Sequence, residues 1–127
     1  MAQARLVAAV SATVRQRIRN VVPNCQLRFV RNRDELLCEI DHCDMLILGA
    51  HFDESTTVAA LERVIERSER FPVVCVRGVR SRYGKRSLHA LRLALNELGA
   101  AKFIDLLDYP DDESGNAQVR ALLEHLL

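Results

Sequence analysis

The stretch that decides the fold is Asp44-Met-Leu-Ile-Leu-Gly-Ala-His-Phe-Asp-Glu54. From Met45 to Leu48 its residues are apolar without interruption, and Gly49 ends the run. A short apolar run that stops at a turn residue is typical of a strand buried on both faces of a sheet. In open α/β sheets, binding sites form beyond the carboxyl ends of such strands. We therefore predict a buried strand over residues 44–48 and look for the functional site close to Gly49.

Four more segments have the composition of strands, at residues 5–10, 26–30, 72–76 and 102–107. Each predicted strand is followed by a helical pattern, so a strand and a helix alternate five times, at intervals of about 20–25 residues. Such alternation is typical of a parallel sheet with right-handed crossover connections. We predict an α/β fold: a three-layer, doubly wound, five-stranded parallel sheet with strand order 2-1-3-4-5.

The ends of the predicted helices carry capping signals. Ser11 is a candidate N-cap for the first helix, which we expect to end near Pro23. Asn32 and Glu35 have the spacing of a capping box before the second helix. The remaining signals are Ser55 or Thr56 before the third helix, Ser87 at the start of the fourth, Gly99 at its end, and Asp111 to Glu113 before the fifth.

Length and composition indicate a single globular domain over residues 1–127. Apolar residues make up 49% of the chain, which is enough for a core and argues against disorder. The formal net charge is +1, so no overall field favours nucleic acid or a membrane surface as partner. No apolar run has the length of a membrane span, and the chain does not open with a signal-peptide pattern. We therefore expect a cytoplasmic domain without a membrane partner.

The chain contains four cysteines and no Cys-x-x-Cys pair: Cys25, Cys38, Cys43 and Cys75. We interpret them as reduced, partly buried thiols rather than as disulfides. Cys38, His42, Cys43 and His51 are close in sequence, but their spacing matches no common zinc motif. Because the predicted strand separates Cys43 from His51, we expect no shared metal site and no cofactor.

Three segments resemble those of response-regulator receiver domains, whose five strand–helix units match this chain over essentially its whole length. Asp44-Met-Leu-Ile-Leu-Gly49 resembles the family's third strand, which runs from an aspartate to the phosphoacceptor aspartate. Pro72-Val-Val-Cys-Val-Arg77 resembles the fourth strand, which ends in threonine or serine. Leu98-Gly-Ala100 followed by Phe103-Ile104 resembles the lead into the fifth strand, which ends in a Lys-Pro pair. The resemblance implies a receiver-like, flavodoxin-like fold.

This chain differs from the family at the positions that carry the chemistry. Gly49 stands at the phosphoacceptor position, and Arg77 stands where a hydroxyl contacts the phosphoryl group. Leu106 stands at the position of the lysine. Phosphoryl transfer to a carboxylate needs a nucleophile, a divalent cation held by oxygen ligands, and positive charge near the developing oxyanion. A glycine supplies no nucleophile, and a leucine supplies no charge.

The acids that would hold magnesium are absent as well. They would close the first strand, where Val10 and Ser11 stand, and the first carboxylate of the chain is Asp34. Asp53 and Glu54 are an alternative, displaced acceptor, although acids at that place also suit the start of a helix. The resemblance therefore implies a degenerate receiver, or pseudo-receiver, that is not phosphorylated at the usual place.

A basic segment over residues 77–86 is the candidate anion-binding site. Its cations are Arg77, Arg80, Arg82, Lys85 and Arg86. Arginines beside the N–H groups of a helix start can bind a phosphate group. An acidic segment over residues 105–113 follows the neighbouring predicted strand, so the two segments can instead pair with each other. We expect the pairing and keep ligand binding as the alternative.

A second basic surface lies on the first predicted helix. Arg15 and Arg19 are one turn apart on its polar side, with Arg17 at the flank. Three more arginines follow in the chain: Arg28, Arg31 and Arg33. These cations either keep the domain soluble or dock an acidic partner or nucleic acid. Aromatic residues for base stacking are few, with four Phe, two Tyr and no Trp, which argues against nucleic acid.

These observations predict a non-enzymatic signalling or regulatory module that acts by protein binding or by dimerisation, without aspartyl phosphorylation. The chain has no Gly-rich phosphate loop, nucleophile elbow or recognisable acid–base pair. The resemblance implies a partner or dimer surface on the fourth helix, fifth strand and fifth helix, with residues 88–98 and 117–127 as candidates. The alternative is a switch domain that binds a phosphate- or nucleotide-type anion through residues 77–86.

Overall fold

A computed structural model describes residues 4–49, 61–64, 66, 71–78 and 85–127, without the side chains of His42 and of residues 85–88. The strands are β1 (Arg5–Ala9), β2 (Gln26–Phe29), β3 (Met45–Gly49), β4 (Val73–Arg77) and β5 (Lys102–Asp105). They form one sheet in the order β2-β1-β3-β4-β5, and every neighbouring pair is parallel. The predicted α/β fold and its strand order are confirmed.

The helices are α1 (Ala12–Val21), α2 (Arg33–Glu39), α3, of which residues 61–64 and 66 are described, α4 (Lys85–Glu97) and α5 (Glu113–Glu124). Short 3-10 helices follow α2 and β5, at Ile40–His42 and Leu106–Asp108. Asn32 caps α2, because its side-chain oxygen accepts a hydrogen bond from the N–H of Glu35 at 2.9 Å, as the capping box predicts. Gly99 ends α4 with a φ of 105°, a conformation that favours glycine.

Side chains alternate across the sheet and form two core layers. On one side, Val7, Leu46 and Leu48 pack with residues of α2, α3 and α4. On the other, Leu6 and Ile47 pack with residues of α1 and α5. Every residue of β3 is buried, which confirms the expectation for the central strand. Each fully buried leucine or isoleucine contributes about 1.5–3 kcal/mol relative to an exposed one.

The predicted fifth strand is too long. The apolar residues continue to Leu107, but β5 ends at Asp105 because the chain turns there. The Asp105 side chain accepts a hydrogen bond from the N–H of Leu107 at 3.1 Å and starts the 3-10 helix. The fourth helix begins at Lys85 rather than at Ser87, and the candidate caps Ser55 and Thr56 lie outside the described residues.

The helices within the described part of the chain are all too short or too polar to cross a membrane.

Candidate functional site at the carboxyl edge of the sheet

Gly49 lies at the end of β3, beside the end of β1. A Cβ atom at Gly49 would lie 3.2 Å from the Cα of Val10 and 3.3 Å from both the carbonyl oxygen of Ala9 and the Cγ1 of Val10. Two of these atoms belong to the backbone, so a side chain at position 49 requires the end of β1 to shift. Val10 is itself buried. The structure therefore brings together two of the predicted site positions and packs them tightly.

Val14, Gly78 and Leu106 form the neighbouring part of this edge. A Cβ atom at Gly78 would lie 2.8 Å and 3.0 Å from the two methyl carbons of Val14 and 3.4 Å from Cδ1 of Leu106. Val14 and Leu106 are buried in the same core layer as Val10. We call Val10, Val14, Gly49, Gly78 and Leu106 the apolar half of the edge. None of these side chains can donate or accept a proton or bind a cation.

Arg77 and Asp105 form the charged half of the edge. They are the last residues of β4 and β5 and face each other in the register of the sheet. Arg77 Nη1 donates to Asp105 Oδ2 at 2.8 Å. The two side chains are only 14% and 5% exposed, so the ion pair is buried. Arg77 Nε is buried and finds no hydrogen-bond acceptor among the described residues.

The expected pairing between the basic and acidic segments is thus present at Arg77 and Asp105. Arg77 is the last residue of β4, which corrects the predicted end of that strand at residue 76, and Asp105 lies within the predicted fifth strand. Arg80, Arg82 and the side chains of Lys85 and Arg86 lie outside the described residues, so anion binding by the full basic segment stays a prediction.

Ser11, the other residue at the predicted metal-ligand position, occupies the N-cap position of α1. Its hydroxyl oxygen lies 3.1 Å from that of Thr13 and makes no capping hydrogen bond to the helix backbone. A serine hydroxyl by itself is a poor ligand for a hard divalent cation. Asp53 and Glu54, the alternative acceptors, lie outside the described residues.

Arg17 has a role that the sequence did not reveal. Its guanidinium group holds the segment after β5 against α1 through hydrogen bonds to the carbonyl oxygens of Leu106, Tyr109 and Pro110 and to the side chain of Asn116, at 2.8, 2.8, 3.1 and 3.2 Å. The side chain is only 12% exposed. The interpretation of Arg17 as a flanking surface cation is therefore wrong.

The physical reason for that error is the distance along the chain. The acceptors of Arg17 lie 89 to 99 residues away, and carbonyl oxygens leave no mark in the sequence. Asp111 supports the arrangement, because its carboxylate accepts from Asn116 Nδ2 at 3.0 Å. Gly115 completes the turn, since a Cβ atom there would overlap the carbonyl group of Pro110.

Three of the cysteines, Cys25, Cys43 and Cys75, have a raised pKa, so their thiols are not reactive thiolates at neutral pH. All four are free. Burial raises the pKa of Cys75 to about 12, and burial together with the nearby charge of Asp44 raises the pKa of Cys43 to about 11. Burial and the charge of Glu124 also raise the pKa of Cys25. In the described part of the chain, no three His, Cys, Asp or Glu residues are grouped so that they could hold a metal ion.

The candidate partner surface on α4, β5 and α5 contains exposed apolar groups. Leu93 on α4 is 52% exposed, and Leu127 beyond α5 is 50% exposed. Arg92 lies over the ring of Phe103, with its guanidinium carbon 5.1 Å from the ring centre. A groove of about 290 Å³ runs between α4 and β5, and Lys102 contributes to its lining. The lining of this groove therefore combines apolar and basic groups.

Comparisons by sequence and by structure give different results. No protein-family model matches the sequence, and no curated protein matches it. Solved structures match well. The chemotaxis protein CheY4 of Vibrio cholerae has a TM-score of 0.75 and 15% identity, covering 99% of this chain and 100% of that one.

Two other structures are similar. A response regulator from Thermotoga maritima has a TM-score of 0.73 and 11% identity, covering 98% of each chain. NtrX from Brucella abortus has a TM-score of 0.74 and 17% identity, and this chain matches 27% of its length. These likenesses show that the chain has the receiver-domain fold.

Proposed function

We propose that this chain is a cytoplasmic, non-enzymatic signalling module with the receiver fold, which acts by binding protein partners or by dimerisation, without aspartyl phosphorylation. The solved structures that share its fold include a chemotaxis protein and response regulators, which supports a role in signalling. In the receiver family, the carboxyl edge of the sheet carries the phosphorylation chemistry. The proposal therefore depends on what stands at that edge here.

The observation that carries the proposal is the composition of the two halves of the edge. β3 ends in a glycine, and a buried valine, Val10, directly follows β1. The only charged side chains in the two halves, Arg77 and Asp105, are bonded to each other. A buried guanidinium group that already has a carboxylate partner is poorly placed to stabilise a transferred phosphoryl group.

The first experiment tests phosphorylation directly. The protein is incubated with acetyl phosphate and Mg²⁺, and its intact mass is measured beside that of an active receiver domain treated in the same way. We expect no phosphoryl adduct on this chain. A phosphoryl adduct on any of its carboxylates, Asp53 and Glu54 included, would overturn the proposal. Peptide mapping would then identify the acceptor residue.

The variant Gly49→Asp sharpens this test. It places a carboxylate at the end of β3, while the residues at positions 10, 77, 105 and 106 stay the same. We expect this variant to stay unphosphorylated, because no oxygen ligands for magnesium are restored. Circular dichroism checks that it folds. Phosphorylation of Gly49→Asp would mean that the rest of the site is competent and that only the acceptor is missing.

The second experiment tests the partner surface. Leu93 is an exposed apolar residue that lines the groove between α4 and β5. If this surface forms a dimer, Leu93→Glu should lower the association constant measured by sedimentation equilibrium by at least about tenfold. Leu107→Glu is the matched control, because Leu107 is also exposed but lies outside the two helices. A monomeric parent protein, or equal effects of both variants, would argue against dimerisation through this surface.

A further inference from the structure

Five arginines of the first 33 residues fall into two groups in the structure. Arg17 is enclosed by hydrogen bonds, and Arg28 pairs with Glu39 at 3.1 Å. In contrast, no carboxylate of the described residues lies within 4.0 Å of the guanidinium groups of Arg15, Arg19 or Arg31. The molecule has acids on its surface and uses several of them in ion pairs. These three cations nevertheless have no carboxylate partner within the described part of the chain.

Two of these cations are held over one aromatic ring. The guanidinium carbons of Arg15 and Arg19 lie 5.8 Å and 4.9 Å from the centre of the Phe29 ring. Stacking on a ring restrains a guanidinium group while leaving its N–H donors directed outward, so less rotamer entropy is lost when a carboxylate binds. The Nε of Arg15 is buried and has no hydrogen-bond partner among the described residues. Arg31, which is exposed, follows Phe29 by two positions.

The ring belongs to a strand whose outer edge pairs with no other strand of the described residues. β2 is the first strand of the sheet and pairs only with β1 among the described strands. The N–H groups of Gln26 and Val30 donate to carbonyl oxygens next to and within β1, at 2.9 and 3.1 Å. Because successive residues of a strand point their backbone groups to opposite sides, the N–H and C=O groups of Leu27 and Phe29 face outward.

We propose that Arg15, Arg19, Phe29 and Arg31, which we call the Phe29 platform, bind an acidic segment of a partner protein that lies in extended conformation along the open edge of β2. The cations match carboxylates, and the outward backbone groups match those of an added strand. Nucleic acid fits less well, because the Phe29 ring already lies under two guanidinium groups and offers little room for bases. This surface lies at the opposite edge of the sheet from β5, so it is separate from the partner surface proposed above.

The test uses a fluorescently labelled peptide of alternating glutamate and valine, with a glutamine–valine peptide as its uncharged counterpart. Binding is measured by fluorescence polarisation. We expect the acidic peptide to bind and the uncharged one to bind far more weakly. The double variant Arg15→Gln/Arg19→Gln should weaken binding of the acidic peptide by about tenfold or more, since two charge-assisted contacts are lost.

The matched control is Arg92→Gln. Arg92 also stacks on an aromatic ring of an edge strand, Phe103 of β5, but at the other side of the sheet. We expect it to change the affinity by less than a factor of about two. Equal losses for Arg92→Gln and the double variant would show unspecific attraction and overturn the proposal, as would the absence of peptide binding to the parent protein.

Hydrogen exchange separates strand addition from simple charge attraction. On binding, the amide protons of Leu27 and Phe29 should exchange more slowly, because the added segment accepts their hydrogen bonds. If the peptide binds and these amides stay unprotected, the extended arrangement along β2 is wrong. A single-stranded oligonucleotide serves as the competing ligand. If it binds more tightly than the peptide, and if the same double variant weakens its binding, the partner is nucleic acid and the proposed protein segment is wrong.

Discussion

The two halves of the carboxyl edge differ in how they are stabilised. In the apolar half, the side chains at the ends of β1 and β3 and beside them pack through apolar contacts, and none of them is charged. In the charged half, Arg77 and Asp105 hold each other in a buried ion pair. Apolar packing gains free energy at each residue separately, whereas each charge of a buried pair is tolerated only while its partner is present. The two halves should therefore respond to mutation in different ways.

The largest effect is expected from breaking the pair on one side. Asp105→Ala leaves the guanidinium group of Arg77 buried without a counter-charge, so the free energy of unfolding should fall by about 3–5 kcal/mol. Urea denaturation measures the change. The double variant Arg77→Met/Asp105→Leu replaces both charges with apolar groups and should lie within about 1 kcal/mol of the parent protein or above it. A double variant as unstable as the single one would show that the charges themselves stabilise the edge.

The next largest effect is expected in the apolar half, at Leu106. Leu106→Ala removes a fully buried side chain and should lower the free energy of unfolding by about 2–4 kcal/mol, because a cavity remains. Its neighbour provides the control, since Leu107 is exposed and Leu107→Ala should cost no more than about 0.5 kcal/mol. Similar losses at both positions would contradict the assignment of Leu106 to the core of this half.

A smaller effect tests how tightly the apolar half is packed. Gly78→Ala places a methyl group against Val14 and should destabilise the protein by about 1–3 kcal/mol. Val14→Ala removes both methyl carbons that this group meets. In the double variant the loss should therefore be smaller than the sum of the two single losses, by about 0.5–2 kcal/mol. Additive losses, measured by urea denaturation, would mean that the two positions do not touch.

The smallest effect is expected at Gly49. Gly49→Ala brings a methyl group to 3.2–3.3 Å from atoms of Ala9 and Val10 and should cost about 1 kcal/mol. Here Val10→Ala should not rescue the variant, because the Cα of Val10 and the carbonyl oxygen of Ala9 stay in place. Thermal unfolding of the parent protein, Gly49→Ala, Val10→Ala and the double variant measures the coupling between the two positions. Full rescue would locate the contact in the side chain of Val10 instead of the backbone.

The fold was predictable because its signals are local. The apolar run from Met45 to Leu48 identified the central strand, and the regular alternation of strands and helices led to the order confirmed in the sheet. The capping of α2 by Asn32 and the end of α4 at Gly99 also depend on neighbouring residues only. The end of β5 was missed because Leu106 and Leu107 continue an apolar pattern, while the turn is made by a single side chain, that of Asp105.

The site was predictable only in part, since its contacts join distant segments. The sequence identified the positions at the strand ends and suggested that opposite charges there would pair. It could not show that Arg77 and Asp105 face each other in register, or that Val14 and Gly78 fill the space beside them. These facts depend on how strands and helices from different parts of the chain meet, and no short motif records them.

The hydrogen bonds of Arg17 have a consequence for the order in which the domain is completed. They join the first helix to acceptors that come 89 to 99 residues later. During synthesis from the amino terminus, this guanidinium group stays in water until the segment up to Asn116 has left the ribosome. The first helix can form early, but its fixed position is decided by nearly the last part of the domain to emerge. A nascent chain stalled before that point should lack protection at α1, even though every residue of the helix is already present.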